Sequence, residues 1–184
     1  MKFIETELQG LYIIEPRVFE DNRGLFFESF NERVFQEYTG IECDFVQDNH
    51  SYSTYGVLRG LHFQKGEHMQ AKLVRTISGK VLDIVVDIRK ESPTYGKSFS
   101  VELSAENRKQ LFVPKGFAHG FVVLSDSAEF VYKCDTFYHP ASESGIIYND
   151  EQLALDWKVP EKDLIVSDKD LELPKFEEIS LETC

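Results

Sequence analysis

The stretch from Val57 to Lys72 carries four side chains suited to acid–base chemistry and to the binding of anions: Arg59, His62, Gln64 and Lys72. Histidine ordinarily changes its charge near neutral pH, so a histidine in a pocket can take part in proton transfer. Arginine and lysine can neutralise a phosphate or a negative charge that develops during a reaction. The stretch therefore predicts a pocket, and these residues alone leave open what fills it.

The same stretch reads as a strand that directs His62 into such a pocket. Successive side chains of a strand point to opposite faces, so Leu61 and Phe63 share one face while Gly60, His62 and Gln64 share the other. A glycine beside a histidine on the same face leaves room for something other than protein. We therefore expect His62 to line a ligand site.

Lys72, Asp83 and Tyr132 are further candidates, because each lies among apolar residues on a predicted strand face. Lys72 would be desolvated there and would keep its charge only opposite an anion. Asp83 lies among valines, where a carboxylate must be paired or hydrogen-bonded, and both a structural ion pair and a role in the site stay open. Tyr132 is either a core residue with a tethered hydroxyl or a general acid that faces the histidine across a barrel.

Composition excludes several classes of function. The 184 residues carry a net charge of −12, which argues against nucleic-acid binding through a broad basic face. Cations cluster only near His62, as Arg59, Lys65, Lys72 and Arg75, so an anionic small molecule remains a possible ligand. No apolar run approaches the roughly 20 residues of a membrane span. These features predict a small-molecule partner, with neither nucleic acid nor membrane.

The cysteines and the N-terminus predict a cytoplasmic location. Cys43, Cys134 and Cys184 are odd in number and unrelated in spacing, which indicates neither a disulfide framework nor a zinc site. The segment 1–5 contains an acid and lacks the apolar region of a signal peptide. A reducing compartment fits both observations.

Turn residues divide most of the chain into short strands. Residues 31–38 predict the one substantial early helix, with Asn31 as its N-cap and Gly40 at its end. Many short strands at regular spacing are typical of a sandwich or barrel. We predict a mainly β barrel with a few short helices and an irregular tail after Tyr148, and strands at 11–14, 25–30, 45–52, 57–64, 71–78, 80–88, 97–103, 110–113, 120–124 and 128–137.

The segment from Pro114 to His119 resembles the second motif of the cupin superfamily, P-x-G-x-x-H, whose histidine faces into a jelly-roll barrel. The first cupin motif contains two metal-binding histidines, and here His62-Phe63-Gln64 replaces the second of them with glutamine. Glutamine is a poor ligand for a transition metal. The resemblance implies a double-stranded β-helix barrel that holds no metal and is available for cofactor-free chemistry.

Seven segments together resemble the dTDP-4-dehydrorhamnose 3,5-epimerase family of metal-free cupins. They span nearly the whole chain and include V-L-R-G-L-H-F-Q from Val57 and P-K-G-F-A-H-G-F from Pro114; the others lie at 21–28, 47–51, 72–75, 86–89 and 131–133. The resemblance implies epimerisation of dTDP-4-dehydro-6-deoxy-D-glucose at C3 and C5. Both carbons are α to the C4 ketone, which makes their protons removable.

The resemblance also implies catalytic roles. His62 matches the base, Tyr132 the acid that reprotonates the opposite face, and Lys72 the cation that stabilises the enolate oxygen. An aspartate in the tail orients the histidine, and by position we match it to Asp170. Asp168, two residues earlier, and Asp83 on a barrel strand stay open as alternatives.

The residues implied in substrate binding are spread over the chain. Tyr138 would stack on thymine, and an N-terminal strand with Arg23 and Glu28 would reach the partner's site in a homodimer. The full predicted set is Arg23, Glu28, Gln47, Asp48, Asn49, Arg59, Lys72, His119, Tyr138, Glu143 and Lys169.

Two alternatives to a double epimerase remain at this point. One is a dTDP-sugar enzyme that epimerises only C3 or C5 or that interconverts 3- and 4-keto sugars; the other is a cupin that binds metal or has no catalytic activity.

Whatever the activity, the chain length predicts that residues 1–184 form a single domain. Within this domain, we predict strands, a helix and a dimer contact over 1–50, the barrel over 51–140 and a wrapping tail over 141–184.

Overall fold

β-Strands are the main regular structure of this chain, as the sequence predicts. The computed structural model describes residues 1–179, so Cys184 lies outside the described residues. The strands are β1 (Lys2–Glu5), β2 (Tyr12–Glu15), β3 (Val18–Asp21), β4 (Gly24–Phe27), β5 (Gln47–Thr54), β6 (Val57–Gln64), β7 (Lys72–Ser78), β8 (Lys80–Asp87), β9 (Ser98–Ser104), β10 (Gln110–Val113), β11 (Phe117–Val123), β12 (Ser127–Cys134), β13 (Glu143–Gly145) and β14 (Ile165–Val166).

Two α-helices and four short 3₁₀ turns complete the described chain. The helices are α1 (Glu32–Thr39) and α2 (Asp168–Leu171), and the 3₁₀ turns are Gly66–His68, Pro140–Ser142, Glu161–Asp163 and Phe176–Glu178. Asn31 caps α1 by accepting a hydrogen bond from the Val34 amide, and Gly40 ends the helix with a φ of 69°. The predicted helix and both of its ends are confirmed. Among residues 1–179, no helix is long and apolar enough to cross a membrane.

The strands form two main sheets that face each other. The first sheet has the order β1-β2-β10-β7-β12-β5, and the second has the order β13-β6-β11-β8-β9 with β14 parallel to β6. All other neighbours within these sheets pair antiparallel. A separate hairpin joins β3 and β4. The predicted mainly β, jelly-roll class is confirmed.

Strand β8 shows how alternation builds the layers. Val81 and Val85 point between the sheets, where they belong to the same apolar cluster as Phe130 of the first sheet. Leu82 and Ile84 point to the outer face and belong to a different cluster. Because both faces of β8 are covered, the strand is apolar almost throughout, and its few acids must find partners inside the barrel.

The outer faces of both sheets are covered by later or earlier segments of the chain. Phe35 of α1 packs on the first sheet against Phe112, with their ring centroids 4.8 Å apart. Trp157 and Phe176 of the tail pack on the second sheet. This packing fixes the path of the tail, and with it the position of α2.

The structure corrects the predicted strand at 25–30, which ends at Phe27. Beyond that point the Ser29 carbonyl accepts a hydrogen bond from the Gln110 side chain at 2.6 Å instead of pairing with a strand. Arg23 donates hydrogen bonds to Asp21 within its own turn.

Candidate active site

A cavity of about 590 Å³ opens between the two sheets and is lined by both of them and by the tail. The second sheet contributes side chains from β6 and β11, and the first sheet contributes side chains from β5, β7 and β12. The polar and charged lining residues are Ser51, Arg59, His62, Lys72, His119, Tyr132, Ser167, Lys169 and Asp170. The three predicted catalytic residues of the barrel and the predicted residue of the tail thus meet in one place.

His62 is hydrogen-bonded to Asp170, with 2.7 Å between Nε2 and Oδ1. Asp170 is buried at 4% exposure, and its Oδ2 also accepts a hydrogen bond from the Gly60 amide. Burial alone would raise the pKa of Asp170, but the hydrogen bonds from His62 and Gly60 outweigh it and lower the pKa. Ser167 caps α2 by accepting from the Asp170 amide. Of the three aspartates proposed as partners of His62, the structure brings Asp170 to the ring, whereas Asp168 is exposed.

Asp83 pairs with a different histidine. It is fully buried, and both of its carboxylate oxygens lie 2.9–3.0 Å from Nε2 of His119. His119 itself is 7% exposed and lines the cavity. His62 and His119 are direct cross-strand partners in β6 and β11. The cavity wall therefore contains two adjacent histidines, each with its own carboxylate.

Lys72 and Tyr132 line the cavity from the opposite sheet. The Lys72 ammonium lies 5.9 Å from the centroid of the Tyr132 ring. Burial lowers the pKa of Lys72, and the nearby Cys134, Asp83 and Glu143 only partly counteract it. Burial also raises the pKa of Tyr132, so the phenol keeps its proton at neutral pH. An amine and a protonated phenol thus face the two histidines.

The glycine beside His62 has a different role from the one expected. A Cβ on Gly60 would lie 2.6 Å from Gly120 Cα and 2.8 Å from the His119 carbonyl oxygen. Gly60 thus allows the backbones of β6 and β11 to approach closely, rather than leaving space for a ligand. The cavity lies in front of the two histidines, between the sheets.

Arg59 lines the same cavity as His62, which strict alternation did not predict. The pairing of β6 with β11 changes register between His62 and Arg59, so the odd and even positions no longer keep to separate faces. The Arg59 guanidinium donates a hydrogen bond from Nε to Ser53 Oγ at 3.2 Å. Sequence reasoning missed Ser51 and Ser53. Alternation along β5 could have found them, because Ser51 and Ser53 lie on the same strand face as the predicted binding residues Gln47 and Asn49.

Three predicted binding residues form a polar cluster beside the cavity. Glu143 accepts hydrogen bonds of 2.6 Å from both the Tyr138 hydroxyl and the Lys169 ammonium. Burial alone would raise the pKa of Glu143, but these two bonds outweigh it and lower the pKa. The Tyr138 side chain is half exposed and available for stacking.

On β5, the side chains of Gln47 and Asn49 lie on one face and the side chain of Asp48 lies on the other. Gln47 accepts a hydrogen bond from the Tyr138 amide and donates one to Asn49 Oδ1. Asp48 points to the opposite face and is bonded by Lys133 at 2.9 Å. The structure therefore does not bring the Asp48 side chain to the cavity of its own chain.

Arg23 and Glu28 also lie away from this cavity. Arg23 is on the tip of the β3–β4 hairpin, and Glu28 follows it, where its carboxylate accepts a hydrogen bond from Asn31. The hairpin carries the exposed apolar residues Phe19 and Phe26.

The donor set at the former cupin metal position does not fit a metal. Gln64 is buried, and its amide bonds the His68 and Phe137 carbonyls and the His139 amide. His62 and His119 both use Nε2 on carboxylates. Within residues 1–179, no group of three or more potential metal-binding side chains is present.

Comparisons with known proteins agree over nearly the whole length of the chain. The family model described as dTDP-4-dehydrorhamnose 3,5-epimerase matches residues 5–178. The enzyme of that name from Escherichia coli (strain K12) is 54% identical over 179 residues, which cover 97% of this chain and 96% of the relative.

Two solved structures show the same architecture. The dTDP-4-dehydrorhamnose 3,5-epimerase from Elizabethkingia anophelis NUHP1 is 57% identical, with a TM-score of 0.94 over 96% of this chain and 97% of that one. The dTDP-6-deoxy-D-glucose-3,5-epimerase RmlC from Legionella pneumophila Philadelphia 1, in complex with dTDP-4-keto-L-rhamnose, is 49% identical, with a TM-score of 0.93 over 97% and 94%. The motifs, the two-sheet barrel and these matches together establish that the chain belongs to the dTDP-4-dehydrorhamnose 3,5-epimerase family.

Proposed function

We propose that this protein is a cofactor-independent isomerase that epimerises dTDP-4-dehydro-6-deoxy-D-glucose at C3 and C5 to give dTDP-4-dehydro-L-rhamnose. The observation that carries this proposal is the placement of His62 and Tyr132 on opposite sheets that line one cavity. Inversion of a carbon centre requires removal of a proton from one face and delivery from the other. A base and an acid on facing walls meet that requirement.

His62 is the proposed base. Its Nε2 donates to the Asp170 carboxylate, which only accepts hydrogen bonds, so Nδ1 holds the free lone pair of the neutral ring. That lone pair takes the proton from a carbon next to the ketone. The electron pair of the broken C–H bond moves to the ketone oxygen and forms an enolate. Asp170 stabilises the imidazolium that results.

Lys72 and Tyr132 complete the proposed cycle. The Lys72 ammonium offsets the negative charge that develops on the enolate oxygen, an effect of ~3 kcal/mol for a preorganised donor. Tyr132 then gives its phenolic proton to the opposite face of the carbon, and before the next epimerisation the imidazolium of His62 returns its proton to solvent while the Tyr132 phenolate takes one from solvent. The raised pKa of Tyr132 keeps its proton in place until the carbanion is formed.

The remaining predicted residues are proposed to bind the nucleotide and the sugar. Arg59 and Lys169 line the cavity as cations suited to phosphate oxygens. Tyr138 would stack on thymine beside Glu143. The proposed set also includes His119, Gln47 and Asn49, whereas the Asp48 side chain is left out because it is paired with Lys133 on the opposite face of β5.

We further propose a cytoplasmic homodimer in which Arg23 and Glu28 enter the site of the partner. The exposed apolar side chains of the β3–β4 hairpin support an interface there, since Phe19 is 51% exposed and Phe26 is 70% exposed. Light scattering on the purified protein checks the assembly. A monomer at micromolar concentration would contradict it.

The test of the function is deuterium incorporation into the 4-keto sugar nucleotide, followed by proton NMR in D₂O. We expect exchange and inversion at both C3 and C5, whereas exchange at one carbon alone would indicate a mono-epimerase. His62→Ala should abolish exchange at both positions. His68→Ala is the matched control, because His68 lies in the Gly66–His68 turn outside the cavity lining. Unimpaired turnover by His62→Ala, or near-stoichiometric bound metal in the active protein, would overturn the proposal.

A further inference from the structure

Asp83 is a fully buried carboxylate that the mechanism above does not use. Its side chain is 0% exposed, and among the described residues only His119 donates a hydrogen bond to it. Asp170 is different, because it accepts from both His62 and the Gly60 amide. A buried carboxylate with a single partner is costly unless that partner carries a positive charge.

The position of His119 makes it the natural source of that charge. An ionised carboxylate only accepts hydrogen bonds, so Nε2 of His119 carries a hydrogen that it donates to Asp83. This leaves Nδ1 as the ring nitrogen available to a ligand. In a neutral ring Nδ1 would accept a hydrogen bond, whereas in an imidazolium it donates one.

Two adjacent imidazolium rings would repel each other, so we expect only one of the two histidines to carry a positive charge at rest. His62 and His119 are directly opposed on β6 and β11 and share the cavity face. His62 must be neutral to act as a base, and its carboxylate has a second donor. The pair at His119 is the more deeply buried and has no such second donor, so the resting positive charge falls there.

We propose that Asp83 is a positioning residue that holds His119 as an imidazolium, so that Nδ1–H donates to a sugar oxygen while the adjacent His62 stays neutral. This inference rests on the proposed epimerase function, because it assigns His119 a charge in that same site. The charged and titratable groups that line the cavity with His119 are Arg59 and His62 from β6, Lys72 from β7, Tyr132 from β12, and Lys169 and Asp170 from α2. Glu143 of β13 interacts with Lys72 and His62.

The direct test is ¹⁵N NMR of the intact protein labelled at histidine, with His119 assigned by its loss in His119→Gln. At pH 7.5 we expect both ring nitrogens of His119 to be protonated in the unmodified protein and a neutral ring in Asp83→Asn. A neutral His119 in the unmodified protein would overturn the proposal. So would an imidazolium that persists in Asp83→Asn.

The kinetic test separates positioning from a merely structural role. Asp83→Asn should lower kcat about 100-fold, the usual cost of one lost donor in a dry site, with a smaller change in KM. The alkaline limb of its kcat profile should move to lower pH, because nothing then retains the His119 proton. Asp83→Glu should restore part of the rate, and Asp83→Asn should add little to the loss in His119→Gln. An unshifted pH profile would contradict the proposal.

These outcomes are distinguishable from failure of the function itself. If the unmodified protein exchanges no substrate protons, the epimerase proposal fails while the NMR result on His119 stands. If Asp83→Asn does not fold, as judged by circular dichroism, the charge of His119 in the unmodified protein decides the proposal.

Discussion

Replacement of Asp170 by asparagine removes the negative charge beside the proposed base while keeping the size of the side chain. In the structure Asp170 Oδ1 lies 2.7 Å from His62 Nε2 in a buried setting. Hydrogen bonds to charged groups contribute about 1.5–3 kcal/mol. If this bond acts only in the transition state, its loss lowers kcat roughly 10- to 150-fold. An asparagine that turns its NH₂ toward Nε2 would also select the wrong tautomer and approach a ~10⁴-fold loss.

The assay is the rate of deuterium incorporation at C3 and C5 by Asp170→Asn at saturating substrate. Asp168→Asn is the matched control, since Asp168 has the same chemistry, lies two residues away and is exposed. We expect the control to keep nearly full activity and Asp170→Asn to lose activity at both carbons. Equal losses in the two variants, or an Asp170→Asn variant within threefold of the unmodified protein, would refute the reasoning.

Three further predictions follow from particular groups. Tyr132→Phe should retain some exchange but lose inversion, at C5 in particular, because the base remains while the opposite-face donor is gone; NMR of the product distinguishes the two. Lys72→Met should lower the exchange rate about 100-fold, because the enolate oxygen then develops its charge without a cation beside it; the deuterium-incorporation assay measures this loss. Asp87 has a pKa lowered from 3.8 to about 2, because hydrogen bonds from Arg89, Ser92 and Thr94 outweigh its burial. Its carboxylate therefore stabilises the fold above about pH 4 and loses that contribution as pH falls toward 2, so in urea titrations Asp87→Asn should reduce the free energy of unfolding by roughly 2 kcal/mol at pH 7. No reduction at pH 7, or one that persists unchanged at pH 2, would contradict this.

Much of the fold was predictable because local patterns agree with the tertiary arrangement. Strand β8 illustrates this, since Val81 and Val85 face the barrel while Leu82 and Ile84 face the tail, as alternation predicts. The helix α1 was predictable from its cap residues. The end of β4 was not predictable, because a side chain more than eighty positions later, Gln110, bonds the backbone there.

The site was predictable to a different degree for each residue. Tyr132, Lys72 and His62 could be placed on strand faces by parity, and all three line the cavity. Parity failed for Arg59, because the register of β6 against β11 shifts between it and His62. Alternation also did not predict why position 60 is a glycine, which is that the backbone of β11 lies where a Cβ would be.

The sequence by itself determined the mainly β barrel, the family and the chemical types of the reacting groups, because these depend on residue identity and on short-range spacing. Only the tertiary structure decided which carboxylate serves which histidine. Asp170 reaches His62 from 108 residues away, and Asp83 reaches His119 across the neighbouring strands β8 and β11. The physical reason is that a hydrogen bond depends on distances of a few tenths of an ångström, and the packing of the tail and the register of the sheet set those distances.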